Sequence, residues 1–131
     1  MKERAQNGRK HTRVIFKTKA IVESGTASLE GQVRNLSLNG MLVGLTKVKT
    51  MEIGDDVVVS MMIEGKSALM TIRLRGTIIR VQENTLAVVF DPRLMEVDSL
   101  LLLKTVILSN GGDRQKVEKE FKEILTERKK N

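Results

Sequence analysis

Between residues 13 and 90, apolar and polar positions alternate in short runs that are separated by turn residues. The first run opens at Arg13, where Val14 and Phe16 alternate with Lys17 and Lys19. A period of two with β-branched and aromatic residues is typical of strands that bury one face. The runs that predict strands cover residues 13–22, 27–36, 41–45, 57–63, 68–81 and 86–90. Six short strands with regular turns favour a mostly β fold, a small six-stranded antiparallel β-barrel.

Glycine and proline mark the ends and interruptions of these runs. Asn39-Gly40 between the second and third runs is a strong turn signal. Gly76 interrupts the long fifth run and is predicted to form a bulge or a bend. Pro92 ends the sixth run, because proline has no N–H to donate to a sheet.

After Pro92 the apolar spacing lengthens to that of α-helices. One helix is predicted from Leu94, ending before Asn110-Gly111-Gly112, and Asp113 is predicted to cap a second one. The apolar stripe of the second helix consists of Val117, Phe121, Ile124 and Leu125. We therefore predict a flexible basic arm over residues 1–12, a barrel over residues 13–92 and a helical extension packed on it over residues 93–131.

Composition and charge narrow the possible functions. The 131 residues carry a net charge of +7, and residues 1–20 hold seven bases against one acid. The rest of the chain is nearly neutral, so the positive charge points to one small site that binds an anionic ligand. Aromatic residues make up 2% of the chain, fewer than a nucleic-acid-binding face usually needs for stacking. A small barrel that binds RNA or single-stranded DNA remains the alternative, because the isoelectric point is 9.9.

The sequence lacks the residues of common catalytic and metal sites. It contains no cysteine and a single histidine, His11. A catalytic triad or a zinc site therefore has nothing from which to assemble, and we expect neither an enzyme nor a bound metal. The polar, basic N-terminus lacks the apolar segment of a signal peptide, and no apolar run approaches the ~20 residues of a membrane span. These features predict a cytoplasmic protein.

Two short motifs carry candidate chemistry. Arg9 and Arg13 form R-x-x-x-R, and their planar guanidinium groups can bind phosphates or a guanine edge through paired hydrogen bonds. Residues 35–40 form N-x-S-x-x-G, which places short polar side chains on a turn. Each motif alone is common, one as a basic tail and the other as an ordinary turn.

The pair of motifs, spaced by about twenty residues within a six-strand pattern, resembles the PilZ domain family. The resemblance covers about residues 4–92, and the helices that follow are similar to the C-terminal extension of stand-alone PilZ proteins. It implies a β-barrel that binds the bacterial second messenger cyclic di-GMP. It also implies that Arg9 and Arg13 contact the phosphates and guanine edges of the ligand, with Lys10 assisting from the same arm.

The resemblance further implies a floor for the ligand on the barrel. Asn35 and Ser37 would hydrogen-bond a guanine, and Gly40 would keep the turn open for it. Some family members place an aromatic residue on the strand that corresponds to residues 76–80, and this chain has none there. Arg80 offers a cation–π substitute, and a solvent-facing strand arginine is the alternative.

The function expected from the resemblance is that of a cyclic di-GMP receptor or adaptor. Its arm would order over the ligand and so signal to a protein partner, with no cofactor and no membrane involved. Besides a nucleic-acid binder, a PilZ fold that only binds proteins is an alternative. Gly8, which precedes Arg9, is compatible with one ligand or a stacked pair.

Overall fold

The computed structural model of the chain describes residues 11–45, 51–65 and 67–129. The strands are β1 (Val14–Ser24), β2 (Ala27–Ser37), β3 (Gly40–Leu45), β4 (Asp56–Glu64), β5 (Leu69–Gln82) and β6 (Thr85–Phe90). A short 3-10 helix, Pro92–Leu94, follows the last strand. The helices are α1 (Val97–Ser109) and α2 (Arg114–Lys129).

The strands close into an antiparallel barrel in the order β1-β2-β3-β6-β5-β4, and β4 pairs back onto β1. This confirms the predicted six-stranded antiparallel barrel with C-terminal helices. Strand β1 extends two residues beyond the end of the predicted run 13–22, because Glu23 and Ser24 pair with Ser28 and Ala27. The turn itself falls on Gly25, whose φ of 59° favours glycine.

Alternate side chains of each strand fill the barrel. Val22, Val33 and Leu74 are completely buried, while neighbours such as Lys19 and Arg73 are exposed. Burying an aliphatic side chain contributes about 1.5–3 kcal/mol, so the period-two pattern fixes which face of each strand points inward.

The pairing of the barrel strands is irregular in β2 and in β5. An extra residue interrupts the pairing at Arg34 in β2 and at Ile79 in β5. Of the bulge or bend predicted at Gly76, the bulge is wrong, because Gly76 pairs regularly with Phe90 and the extra residue of β5 is Ile79. Close packing against β6 explains the glycine at this position, because a Cβ on residue 76 would collide with the backbone carbonyl oxygen of Val89.

The first helix begins later than predicted. Asp91 accepts a hydrogen bond from the backbone N–H of Arg93 at 3.0 Å and so caps the 3-10 helix that contains Leu94. Met95 after it is extended, and α1 then starts at Val97. The extended residues Met95 and Glu96 therefore separate Leu94 from α1.

The second helix begins as predicted. Asp113 accepts a hydrogen bond from the N–H of Lys116 at 3.1 Å. Near the other end, Arg128 donates to the carbonyl oxygens of Pro92 at 3.0 Å and Met95 at 2.9 Å. The end of α2 is thus tied to the segment that leaves the barrel.

Candidate functional site

A groove of about 420 Å³ lies on the outer surface of the barrel where β2, β3, β6 and β5 run side by side. We call it the Asn35 groove. Its lining residues are Arg13, Asn35, Asn39, Gly40, Met41, Leu42, Ile79, Arg80, Ala87, Val88 and Val89. The groove therefore brings together four of the predicted site residues: Arg13, Asn35, Gly40 and Arg80.

Strand register explains why the distant residues Asn35 and Arg80 share one groove. Asn35 pairs with Leu42, Leu42 with Ala87, and Ala87 with Arg80. These four residues form one row across four strands. Asn35 and Arg80 are separated by three strand spacings, roughly 14 Å along the sheet. Two polar ends thus enclose a small apolar centre.

The two sequence motifs meet at Asn35. The guanidinium Nη1 of Arg13 donates a hydrogen bond to Oδ1 of Asn35 at 2.9 Å. Arg13 immediately precedes β1, and Ile15 of that strand pairs with Asn35 on β2. The antiparallel pairing of β1 with β2 therefore places the end of R-x-x-x-R against the start of N-x-S-x-x-G.

Ser37, which the resemblance assigns to a guanine contact, is buried in this structure. Its side chain is 1% exposed, and it does not line the groove. The hydroxyl instead donates to Oδ1 of Asn39 at 2.7 Å and accepts a hydrogen bond from the Asn39 N–H at 3.3 Å. In this structure Ser37 holds the turn between β2 and β3.

Asn39, which the sequence reasoning did not select, is half-buried at that turn. Its side chain lines the groove, and its carbonyl oxygen accepts a hydrogen bond from the N–H of Phe90 at 2.9 Å. The turn is therefore tied to the end of β6. A signal was present in the sequence, because Asn39 stands within the second motif and asparagine side chains often face ligands from turns.

Gly40 lies where two strands approach closely. It is buried and pairs with Val89, and a Cβ on it would stand 2.5 Å from the carbonyl oxygen of Val88. Glycine at this position thus serves the packing of β3 against β6. The openness of the turn for a ligand stays a prediction.

The bulge in β5 turns two consecutive residues onto the outer surface. Ile78 points into the core, while Ile79 and Arg80 are both exposed. Because successive strand residues normally face opposite ways, the extra residue is what places Ile79 beside Arg80 in the groove. The sequence reasoning missed Ile79, although two consecutive isoleucines break the alternation of β5.

The floor of the groove is aliphatic. Leu42, Ala87, Ile79 and Val89 provide apolar contact area between the polar ends. The three phenylalanines are the aromatic residues of the chain, and they belong to the core: Phe90 and Phe121 are buried and Phe16 is half-buried. Among the described residues, no aromatic ring lines the groove as a stacking platform.

Arg9 and Lys10, the other predicted site residues, lie outside the described residues. The first described residue is His11. The next residue, Thr12, donates two hydrogen bonds to the carboxylate of Glu120 in α2, one from its backbone N–H at 3.0 Å and one from its hydroxyl at 2.8 Å. The C-terminal helix therefore fixes the residue next to Arg13.

Two carboxylates that lie away from the groove have a lowered pKa. A hydrogen bond from Arg93 lowers the pKa of Asp91, and one from Lys104 lowers the pKa of Glu118. No three potential metal ligands cluster among residues 11–45, 51–65 and 67–129. Within the same ranges, neither helix is long and apolar enough to cross a membrane.

A second depression, of about 400 Å³, has different chemistry. It is lined by Glu23, Asp56 and Asp91 together with Arg75 and Leu94, among others. It contains none of the predicted site residues, and its three carboxylates would repel an anion. For an anionic nucleotide, the Asn35 groove is the better candidate.

Comparison with known proteins identifies the family of the chain. The PilZ domain model matches residues 7–106 of the chain. The PilZ domain of YcgR from Escherichia coli, solved with c-di-GMP, matches with a TM-score of 0.64 and 16% identity, covering 86% of this chain and 97% of that one. No curated protein sequence matches the chain significantly.

Two longer proteins share the fold. PlzA from Borreliella burgdorferi, solved in complex with c-di-GMP, matches with a TM-score of 0.56 and 20% identity over 77% of this chain and 41% of that one. The inhibitor of motility MotI/DgrA from Bacillus subtilis matches with a TM-score of 0.63 and 11% identity over 72% of this chain and 47% of that one. The chain thus spans less than half of either, and identities this low establish the fold alone.

Proposed function

Because the chain belongs to the PilZ domain family, we propose that it is a receptor for cyclic di-GMP, which binds in the Asn35 groove. The observation that carries the proposal is the hydrogen bond between Arg13 and Asn35, 2.9 Å long, which joins the two motifs at one end of the groove. Two of the structural neighbours were solved with this ligand.

The polar end of the groove suits a phosphate and a guanine edge. The Arg13 guanidinium can donate to phosphate oxygens or to guanine O6 and N7, since its planar fork matches either geometry. The side-chain amides of Asn35 and Asn39 supply both donors and acceptors for a base. Arg9 and Lys10 would add charge from the segment that precedes them.

The apolar floor suits the face of a purine. Leu42, Ala87 and Ile79 can contact a base without competing for its hydrogen bonds. Arg80 stands beside them, exposed on β5, and would stack its guanidinium on the opposite face of the base. In this arrangement Ile79 and Arg80 together replace the missing aromatic platform.

The role is one of binding and signalling. A dianionic ligand at Arg13 would draw the preceding basic segment onto the barrel, and that movement would present or hide a surface for a protein partner. Binding of nucleic acid polymers is less favoured than binding of cyclic di-GMP, because none of the described residues that line the Asn35 groove is aromatic and could stack on bases.

Titration calorimetry of the full chain with cyclic di-GMP tests the proposal. Arg13→Ala should weaken binding by about 30-fold or more, since a charged hydrogen-bonding partner of a phosphate is lost. Asn35→Ala should weaken it less. Arg73→Ala, which removes the same charge from an exposed position of β5 outside the groove, is the matched control.

The outcomes separate the alternatives. No binding by the wild type at tens of micromolar ligand would count against the receptor role. Binding of mixed-sequence oligonucleotides in preference to the dinucleotide, with a steep loss on adding salt, would support the nucleic-acid alternative.

A further inference from the structure

A second surface carrying an arginine adjoins the Asn35 groove. Arg34 is the extra residue of the β2 bulge, which falls between the Val33–Val43 and Asn35–Leu42 pairs. Val33 points into the core, whereas Arg34 is exposed and Asn35 half-buried. The bulge therefore turns Arg34 onto the same outer surface as Asn35.

The Arg34 side chain lies across β3 at a glycine. A Cβ on Gly44 would stand 2.6 Å from Nη2 of Arg34 and would also collide with its Nε. Gly44 pairs with Thr85 of β6, so the guanidinium reaches toward the turn between β5 and β6. The missing side chain at Gly44 is what permits this position.

Arg34 and that turn enclose a depression of about 620 Å³, which we call the Arg34 depression. The other residues that line it are Gln82, Glu83, Asn84 and Thr85. The Gly44–Thr85 pair lies two residues along the strands from the Leu42–Ala87 pair of the groove, about 7 Å away. A ligand the size of a cyclic dinucleotide can span both.

The depression has a fixed frame. The N–H of Leu45 donates to the carbonyl oxygen of Asn84 at 2.7 Å, which ties the turn to the end of β3. Glu83 in this turn has a φ of 24°, an uncommon backbone conformation for a glutamate. Arg34 makes no ion pair with any part of the chain that the structure describes, so its charge is not neutralised by a neighbouring carboxylate.

We propose that the Arg34 depression receives the second guanine of a cyclic di-GMP molecule whose first guanine lies at Asn35. Arg34 would donate to the O6 and N7 acceptors of the base, and the Glu83 carboxylate would accept from its amino and ring N–H donors. This assignment rests on the proposed function, and it names Arg34 and Glu83 as determinants of guanine specificity.

A comparison of two ligands tests base recognition. In cyclic GMP–AMP one guanine is replaced by adenine, which offers an amino donor where guanine offers O6. Arg34→Ala should weaken cyclic di-GMP binding by about tenfold or more and should weaken cyclic GMP–AMP binding less. The ratio of the affinity for cyclic di-GMP to the affinity for cyclic GMP–AMP should therefore decrease. Arg34→Lys keeps the charge, loses the fork and should narrow the ratio as well.

Gly44→Ala provides an independent route to the same result. Its Cβ would displace the flexible Arg34 side chain, so it should reproduce the effect of Arg34→Ala with the barrel intact by thermal unfolding. In the double variant the two effects should not add, because both act on one guanidinium. Arg73→Ala is again the control and should leave the ratio unchanged.

The result that overturns this inference differs from the one that overturns the receptor role. In the first case the wild type binds cyclic di-GMP, while Arg34→Ala and Gly44→Ala both leave the ratio of the two affinities unchanged. That result rejects the second guanine site and is consistent with the receptor role. A loss of affinity equal for the two ligands also rejects base recognition. Absence of wild-type binding rejects the receptor itself.

Discussion

Glu120 of α2 accepts two hydrogen bonds from Thr12, one from the backbone N–H at 3.0 Å and one from the hydroxyl at 2.8 Å. The glutamate is 8% exposed, so its carboxylate is satisfied by partners instead of water. Thr12 is the residue before Arg13, and Arg13 contacts Asn35. The C-terminal helix and the candidate ligand site are therefore connected through two consecutive residues.

Glu120→Ala should destabilise the protein and weaken its ligand binding together. It leaves the N–H and hydroxyl of Thr12 without their acceptor, which costs about 1–3 kcal/mol of unfolding free energy. The backbone next to Arg13 is then no longer held by α2, so the affinity for cyclic di-GMP should also fall. Denaturant unfolding and calorimetry on the same samples measure both effects.

Two variants serve as controls for this prediction. Glu123→Ala removes an exposed glutamate from the same helix and should have little effect on stability. Thr12→Val removes the hydroxyl bond and keeps the backbone bond, so its loss should be smaller than that of Glu120→Ala. Equal stability of Glu120→Ala and Glu123→Ala would show that the contact with Thr12 does not hold the chain.

Ser37→Ala should act through the turn between β2 and β3. The hydroxyl bonds Asn39 in both directions, so its removal should cost about 1 kcal/mol of stability and release the Asn39 side chain. Binding of cyclic di-GMP should weaken as a consequence. Asn39→Ala should weaken binding with a smaller loss of stability, because Ser37 can still donate to the carbonyl oxygen of Gly40, 3.2 Å away.

Unfolding curves and titrations of both variants decide how Ser37 acts. If Ser37→Ala lost affinity while its unfolding free energy stayed at the wild-type value, the hydroxyl would have to contact the ligand directly.

Gly40→Ala should destabilise the barrel even when no ligand is present. The added Cβ would stand 2.5 Å from the backbone carbonyl oxygen of Val88, which cannot rotate away, and overpacking of this kind costs about 1–3 kcal/mol. Gly44→Ala is the same change on the same strand, and the nearest atoms that it meets belong to the flexible Arg34 side chain. Thermal unfolding should separate the two; similar melting temperatures would contradict the packing role of Gly40.

The fold was predictable from the sequence because its determinants are local. Alternation over β1 to β6 follows from which side chains must be buried, and Asp113 caps α2 through a backbone group three residues away. The bulges were not predictable in the same way. A period of two describes β5 correctly as far as Ile78, and the extra residue Ile79 depends on how β5 pairs with β6.

Residues of the candidate site could be predicted from the sequence only where they belong to one of the two motifs. Arg13 and Asn35 were selected from their motifs, and the structure brings them into contact. The Thr12–Glu120 contact joins residues 108 positions apart, and no local pattern indicates such a pair. The burial of Ser37 likewise depends on the turn closing over it. Long-range pairing thus decides which motif residues face the groove.

The ion pair between the two helices should make stability depend on pH in the acid range. Lys104 donates to Glu118 at 2.9 Å, and this hydrogen bond lowers the pKa of the glutamate below its ordinary 4.5. The folded state therefore favours the ionised carboxylate, and the resulting stabilisation is present above the unfolded pKa and lost as pH falls through the folded value. Glu118→Gln should lower the melting temperature slightly at neutral pH, because the pair is partly exposed and screened by solvent. The difference in melting temperature between the wild type and Glu118→Gln should decrease as pH falls below about 4.5 and should vanish once Glu118 is protonated in the folded protein. Melting curves of the wild type and Glu118→Gln across this pH range measure the difference, and Glu123→Gln, at an exposed glutamate, is the control. A difference in melting temperature that stays constant down to about pH 3 would mean that Glu118 contributes through packing and not through its charge.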